Sequence, residues 1–302
     1  MATLEITTRI GCKVACSFCP QSKLTKAYGH GDRERVMSFE VFAACVAKLP
    51  PEVNIDFAGM AEPWLNRDCT RMLLHAHERG HLIGVYTTLE GMTVDDIVRI
   101  EAVPFRAFEV HLPSTVGSER ITVDEHYLSV LAALRNSRIA ANYHYFEMDV
   151  DPSVALLLPR HPSQRKKHTR AGNVAISGLA LPSRTRNQGV LACRRKLDYN
   201  ILLPSGEVVL CCMDYGMEHV LGNLLEGSYA SLFQSPAFRH VEQGLSDESL
   251  QTLCRSCERH VYQPSPEEQL RNAALAASGV NPNLSPPNAQ PVDDSVSRPV
   301  SR

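Results

Sequence analysis

The sequence predicts an α/β protein: a partial, open (β/α)6 barrel followed by a small α+β region. Three observations predict it. Over about the first 150 residues, apolar β-branched runs alternate with amphipathic stretches, giving five or six β/α units. From about residue 183 the texture changes, and cysteines return around a hairpin-like ILLPSGEVVLCC. Beyond residue 262 the chain is rich in Pro, Asn and Ser and almost free of large apolar residues, the composition of a disordered tail. The expected division is therefore 1–182, 183–262 and 263–302.

The elements follow in order. LEITTRI reads as the first strand and runs directly into a cysteine-rich loop. Ser38 is placed to cap SFEVFAACVAKL, whose Phe39, Phe42, Val46 and Leu49 share one apolar face. VNIDFAG is a strand, residues 66–80 a helix ended by Gly80, and LIGVYTT a strand. Thr93 and Asp96 open the next helix as a capping box. AFEVHLP, EHYLSVLAALR and IAANYHYFEM continue as strand, helix and strand, and NVAISGLA is expected to close the series. Ser205–Gly206 supplies the turn of the later hairpin, and GSYASLFQSPAFRHVEQG reads as a helix broken at its proline. This alternation suits an open barrel better than a doubly wound sheet. Both arrangements place ligands at the C-terminal ends of the strands, where the cysteine loop falls.

The 302 residues carry a net charge of −2 and an acidic-to-neutral pI near 6.6, which argues against a general nucleic-acid binder. No apolar run reaches membrane-spanning length, and MATLEITTRIG lacks the pattern of a signal peptide. A cytoplasmic protein is expected. In that reducing setting the clustering of eight of the ten cysteines points to metal ligation more than to disulfides. Cys45 and Cys69 stand apart and read as packed thiols.

Cys12, Cys16 and Cys19 lie in RIGCKVACSFCPQ with the spacing C-x3-C-x2-C. Three thiolates can hold three irons of a cubane [4Fe–4S] cluster and leave the fourth iron open; a zinc site with a distant fourth ligand is the alternative. The spacing, with Phe18 before the last cysteine, resembles the signature of the radical S-adenosylmethionine (SAM) superfamily. The resemblance implies that SAM chelates the open iron and is reductively cleaved to a 5′-deoxyadenosyl radical that takes a hydrogen atom from substrate. GMAEP, after the second strand, resembles the superfamily's Gly-Gly-Glu motif, with Ala61 at the second glycine. This implies SAM contacts from Gly59, Met60, Ala61 and Glu62. By the same likeness Phe18 lies near the adenine, and Thr87, Thr88, His111 and Ser114 at strand ends are candidate SAM or substrate contacts, with His144 and Glu147 weaker ones.

Cys193, Gly206 and Cys211, followed by Cys254 and Cys257, resemble a SPASM or twitch domain, the auxiliary-cluster extension of many radical SAM enzymes. With four cysteines the shorter twitch form is implied, holding one auxiliary [4Fe–4S] cluster. Cys212 competes with Cys211 as a ligand, but on a strand it faces the opposite way and reads as packed inside. A four-cysteine zinc site fits the same residue types.

The layout most resembles a twitch-type dehydrogenase acting on an aminocyclitol alcohol. The likeness implies hydrogen abstraction from a carbinol, proton loss to a base and electron transfer to the auxiliary cluster. Asp214 is the candidate base and Tyr215 a candidate pocket residue. The basic stretch 160–173 contains Arg160, Arg165, Lys166, Lys167, His168 and Arg170; an anionic small-molecule substrate could be gripped there, with Arg170 the residue to test, although a solvated loop explains most of it. An external donor such as flavodoxin or ferredoxin is expected. Peptide modification is the alternative enzyme reading, weakened by the eleven residues before Cys12, which leave no room there for a leader-binding domain. A non-catalytic zinc or iron–sulfur protein is the alternative of another class.

Overall fold

A computed structural model describes residues 1–29, 33–115, 119–146, 149–158, 162–175, 187–195, 197–263 and 270. Its centre is a sheet that begins with β1 (Thr3–Ile6), followed in the chain by α1 (Gln21–Tyr28), α2 (Phe39–Val46), β2 (Asn54–Phe57), α3 (Cys69–Glu78), β3 (Ile83–Thr87), α4 (Val94–Ile100) and β4 (Ala107–His111). Then come α5 (Glu125–Asn136), β5 (Asn142–Tyr145), α6 (Pro152–Ala155) and β6 (Ser163–Gln164). The C-terminal part contains β7 (Val190–Cys193), β8 (Tyr199–Leu202), β9 (Glu207–Val209), β10 (Val220–Asn223), α7 (Tyr229–Leu232), α8 (Pro236–Ser246) and β11 (His260–Gln263).

The nine-stranded sheet has the order β10-β9-β8-β1-β2-β3-β4-β5-β6, and β7 and β11 form a separate antiparallel pair. From β8 through β6 every neighbour is parallel, while β9 and β10 add antiparallel strands at one edge. The fold class is mixed α/β as the sequence indicates, a parallel sheet with helices and a small C-terminal β region. The hairpin joins the main sheet, because β8 pairs with β1 in the register Thr3↔Tyr199 to Ile6↔Leu202.

The local signals explain the elements. Ser38 accepts a hydrogen bond from the Val41 amide and starts α2, which buries Phe42 and Val46. The helix stops at Val46, earlier than its apolar pattern suggests, and Leu49 is still buried beyond it. Thr93 and Asp96 form the full capping box of α4. Gly206, at φ +83°, turns the chain between β8 and β9. Leu4, Ile6, Ile55, Phe57, Val85 and Phe108 fill the core between sheet and helices.

One expectation changes in part. The last described strand that follows β5 in the parallel series is the two-residue β6; of NVAISGLA, Asn173 and Val174 turn back on the Arg170 and Thr169 carbonyls, and 176–180 lie outside the described residues. Glu147, Arg160 and all of the 263–302 tail but Gln263 and Leu270 also lie outside them, and Gln263 ends β11. No helix among the described residues is long and apolar enough to cross a membrane.

Candidate iron–sulfur and substrate site

The end of β1 aims the chain into the first cysteine loop. The loop is tight: the Cys19 amide donates to the Cys16 carbonyl at 3.0 Å, and Ala15 sits at φ +45°, a conformation costly for a residue with a Cβ. Cys12, Cys16 and Cys19 are half-buried, free thiols that line one cavity of about 280 Å³ at the C-terminal ends of the strands. Burial, and then the neighbouring thiol of Cys19, pushes Cys16 up. Two side chains fix Cys19: Gln21 Nε2 donates to its sulfur at 3.4 Å, and the Tyr215 hydroxyl lies 3.3 Å from it. Gln21 also donates to the Met60 carbonyl, tying the cysteine loop to GMAEP.

Gly59 has a steric reason. Its φ is +63°, and a Cβ there would lie 2.3 Å from Thr7 Oγ1 and 2.9 Å from the Ile6 carbonyl oxygen. This close approach lets the Met60 amide take a hydrogen bond to Thr7 Oγ1. Glu62 is buried, and its carboxylate accepts from Trp64 N and Thr87 Oγ1 on one oxygen and from Thr88 N and Thr88 Oγ1 on the other. Four donors match the acceptor capacity of a carboxylate. Glu62 and Thr88 thus clamp the loop to the end of β3, and since Thr7 and Gln21 engage the Met60 amide and carbonyl, the polar groups that GMAEP leaves for a ligand are the backbone of Gly59 and Ala61 and the second lone pair of the Met60 carbonyl.

Phe18 packs between His111 and Phe146, at ring separations of 5.6 and 4.9 Å. His111 Nε2 and Ser114 Oγ meet on the same buried carboxylate, Glu119, at 3.0 and 2.9 Å. Deeper in the sheet His144 stacks on His111, and burial lowers its pKa to about 4, so it is neutral. Its Nδ1 lies 3.6 Å from Glu109, too far for a hydrogen bond.

The second cysteine set surrounds a small, apolar-lined cavity. Cys193, Cys211, Cys254 and Cys257 share its wall with Leu210 and Leu253. Burial pushes Cys254 and Cys257 up to about 12; the charge of Cys257 adds to the rise at Cys254, while at Cys257 the Arg259 amide opposes the rise and the charge of Glu258 adds to it. Arg255, between the last two cysteines, is fully buried and donates to the carbonyls of Gly244, Leu245, Asn187 and Gly189. Asn187 in turn donates to the carbonyls of Cys254 and Cys257. This scaffold holds the cysteine turn against the end of α8.

Among the described residues, no three His, Cys, Asp or Glu side chains converge to hold a metal ion. The thiols stand instead around spaces, and soft thiolate donors around an apolar space fit an iron–sulfur cluster. Both cysteine sets therefore suit such a group.

Cys212 is buried but not simply packed away. It lines the larger cavity as well, 3.4 Å from Arg195 Nη1. Asp214, the candidate base, is fully buried outside that cavity, and its carboxylate accepts the amides of Glu218 and His219 at 2.8 and 2.9 Å. These bonds make it a turn acceptor. Tyr215 and Arg170 do line the cavity. The carboxyl group within reach there is Glu5, on the inward face of β1, 3.4 Å from Arg195. Burial raises it to about 7 against the opposing charge of Arg195, with Asp56 adding to the rise and Arg170 opposing it. Sequence reasoning missed Gln21, Glu5, Glu119 and Arg255; Gln21, at the end of RIGCKVACSFCPQ, and Arg255, inside CRSC, lie within motifs that could have marked them.

Two outcomes follow from this geometry. Arg255→Ala leaves four carbonyls without their donor, so iron content is expected to fall from about eight to about four atoms per chain, with the first cysteine set still loaded. Metal analysis of anaerobically reconstituted protein checks this. Glu5 gains its proton in the folded state between the unfolded carboxyl value, about 4.3, and about 7, so its contribution to stability falls as pH rises through that window. From pH 6 to 8 the wild type is expected to lose about 1.4 kcal/mol that Glu5→Gln does not lose, read from unfolding of the two proteins at both pH values.

Residues 193–258 match SPASM, an iron–sulfur cluster-binding domain. Over 80 residues, 26% of the chain, the sequence is 34% identical to a probable dual-specificity RNA methyltransferase RlmN of Treponema pallidum, spanning about a quarter (23%) of that protein's length. Among solved structures, BtrN in complex with AdoMet and 2-DOIA superposes with a TM-score of 0.58 at 14% identity, covering 85% of this chain and 93% of BtrN. The enzyme anSMEcpe with bound AdoMet gives 0.52 at 12% identity, with coverage of 85% and 83%. Streptococcus suis SuiB bound to its precursor peptide SuiA gives 0.58 at 11% identity, with coverage of 85% and 69%. At such identities the likeness is one of fold, and within it residues 193–258 are those that match the SPASM iron–sulfur cluster-binding domain.

Proposed function

We propose that the protein is a radical SAM oxidoreductase that takes a hydrogen atom from a carbohydrate-like or cyclitol-like small molecule. The observation that carries this reading is the meeting of Tyr215 with Cys19 at 3.3 Å, which sets the SPASM region as a roof over the first cysteine loop. A substrate in the shared cavity then lies between the two cysteine sets. Cys12, Cys16 and Cys19 would hold a [4Fe–4S] cluster with an open iron for SAM, and Cys193, Cys211, Cys254 and Cys257 one auxiliary [4Fe–4S] cluster. When bound and reduced, SAM supplies a 5′-deoxyadenosyl radical and the auxiliary cluster an electron acceptor.

The chain's own residues do the rest. The backbone of Gly59 to Ala61 and the Phe18–His111 wall position SAM. Ser114 and His111 are oriented by Glu119. Glu5 accepts the hydroxyl proton of the substrate, since burial places its pKa near the working range of a general base. The apolar walls around Cys211 and Leu253 keep water from the second cysteine set. Neighbours seen with AdoMet, BtrN and anSMEcpe, support the cofactor. The likeness to SuiB, seen with a precursor peptide, supports peptide modification as the second reading. We place the boundary of the two ordered units near residue 183 and the protein in the cytoplasm, served by a flavodoxin or ferredoxin.

The test is 5′-deoxyadenosine formation by the anaerobically reconstituted protein given SAM and dithionite. Wild type is expected to form it and Cys16→Ala to form none. Loaded wild-type protein that forms no product above the variant would contradict the proposal.

A further inference from the structure

We infer that Arg170, Arg195 and Arg259 form a cradle for a doubly charged oxyanion, and that the substrate carries a phosphate ester. The inference rests on the reading that this cavity holds the substrate. All three arginines line it, together with Glu5 and Cys212.

The backbone is strained where it delivers Arg170. Arg170 and Ala171 stand at φ +54° and +58°, two successive left-handed residues with side chains. Such a conformation costs about 1 kcal/mol or more per residue and persists only when its surroundings fix it. Here they do. Glu258, next to Cys257, accepts the amides of Thr169 and Ala171 at 2.5 and 3.0 Å and also the Thr169 hydroxyl. Asn173 Nδ2 donates to the Met213 carbonyl, and Lys23 Nζ donates to Asn173 Oδ1. The loop is bolted to both sides of the cavity, and the guanidinium is left over: among the described residues no hydrogen bond or ion pair links it to a carboxylate.

The other two arginines complete the case. Arg259 Nε is buried without a hydrogen-bond partner. Arg195 stacks over Tyr199 with its guanidinium carbon 4.0 Å from the ring centre, and shares Nη1 between Glu5 and Cys212, both at 3.4 Å. Of the other carboxylates that line the cavity, Glu62 is engaged by Thr87 and Thr88 and Glu109 by Arg165, so these three guanidiniums face Glu5 and the Cys212 thiol, and Arg195 and Arg259 also line the cavity of the second cysteine set. Half-buried positive charge in excess of its partners draws an anion, and forked guanidiniums suit the oxygens of a phosphate. Two other members of the basic stretch have partners of their own. Arg165 pairs with Glu109 at 2.6 Å, and Lys167 lies over the Phe18 ring.

The rival role for these arginines is to offset the negative charge of the auxiliary thiolates. Titration of the reconstituted holoenzyme with inorganic phosphate and, separately, with acetate distinguishes them, using no SAM and no reductant. Saturable phosphate binding is expected, with acetate weaker by about tenfold or more. Arg170→Gln and Arg259→Gln are each expected to weaken phosphate by about tenfold or more, with the visible spectra of the clusters unchanged. Arg99→Gln, on the surface of α4, is expected to bind as wild type does. No saturable binding, or acetate bound as tightly as phosphate, would overturn the inference. So would arginine variants that bind phosphate normally but shift the midpoint potential of the auxiliary cluster. Because the readout is binding, a protein that makes no 5′-deoxyadenosine can still pass, and one that makes it can still fail.

Discussion

The parallel ladder between β1 and β8 is the constraint on which the site depends. These strands are almost two hundred residues apart in the chain, yet they pair over four residues. β1 launches the first cysteine loop, and the β8–β9 hairpin delivers Cys211 to Tyr215. The ladder therefore fixes both cysteine sets to one end of one sheet. It brings Tyr215 to Cys19 and Arg195 to Glu5, contacts that no local sequence signal requires. A loose tether between the two regions would leave the cavity open to water; a shared sheet holds its walls in register.

The interior that results is unusually polar for a sheet core. Glu5 and Asp56 face each other across β1 and β2, and Glu109 lies on β4, beyond β3. Each has a partner: Arg195 for Glu5, Arg106 and Tyr199 for Asp56, Arg165 and Asn142 for Glu109. Gly84 is shaped by this network, since a Cβ there would lie 2.2 Å from Asp56 Oδ1. Burying paired charge adds little net stability, whereas breaking a pair is costly. Its return is geometric, for each charged group has one place to be. Glu5 is the exception, close to neutral and ionic at once, and this is what a proton acceptor needs.

Much of this was legible in the sequence wherever a feature is local. The Ser38 cap, the Thr93–Asp96 box and the Ser205–Gly206 turn depend on residues a few positions apart. The cysteine spacings and GMAEP were legible for the same reason. What depends on distant packing was not. α1 has no side-chain cap and a largely polar sequence, so long-range contacts hold it in place: its buried Leu24 and Tyr28, and the hydrogen bonds of Gln21 to Met60 and of Lys23 to Asn173. β6 has two residues, too few for any periodicity. Asp214 looked like a base from its type and position, but the following turn claims both of its oxygens. Glu62 likewise spends its carboxylate on Thr87, Thr88 and Trp64. Arg259 and Glu119 become visible only when the fold brings them to the cavity.

The central claim is that Cys12, Cys16 and Cys19 hold a cluster with an open iron beside a second, fully ligated one. Electron paramagnetic resonance of the dithionite-reduced holoprotein tests it most directly, recorded with and without SAM in wild type and in Cys254→Ala. The account requires a cluster signal that changes shape on adding SAM in both proteins, with the variant lacking a second signal that SAM leaves unaltered. A spectrum indifferent to SAM in both, or protein that takes up zinc in place of iron, would contradict it.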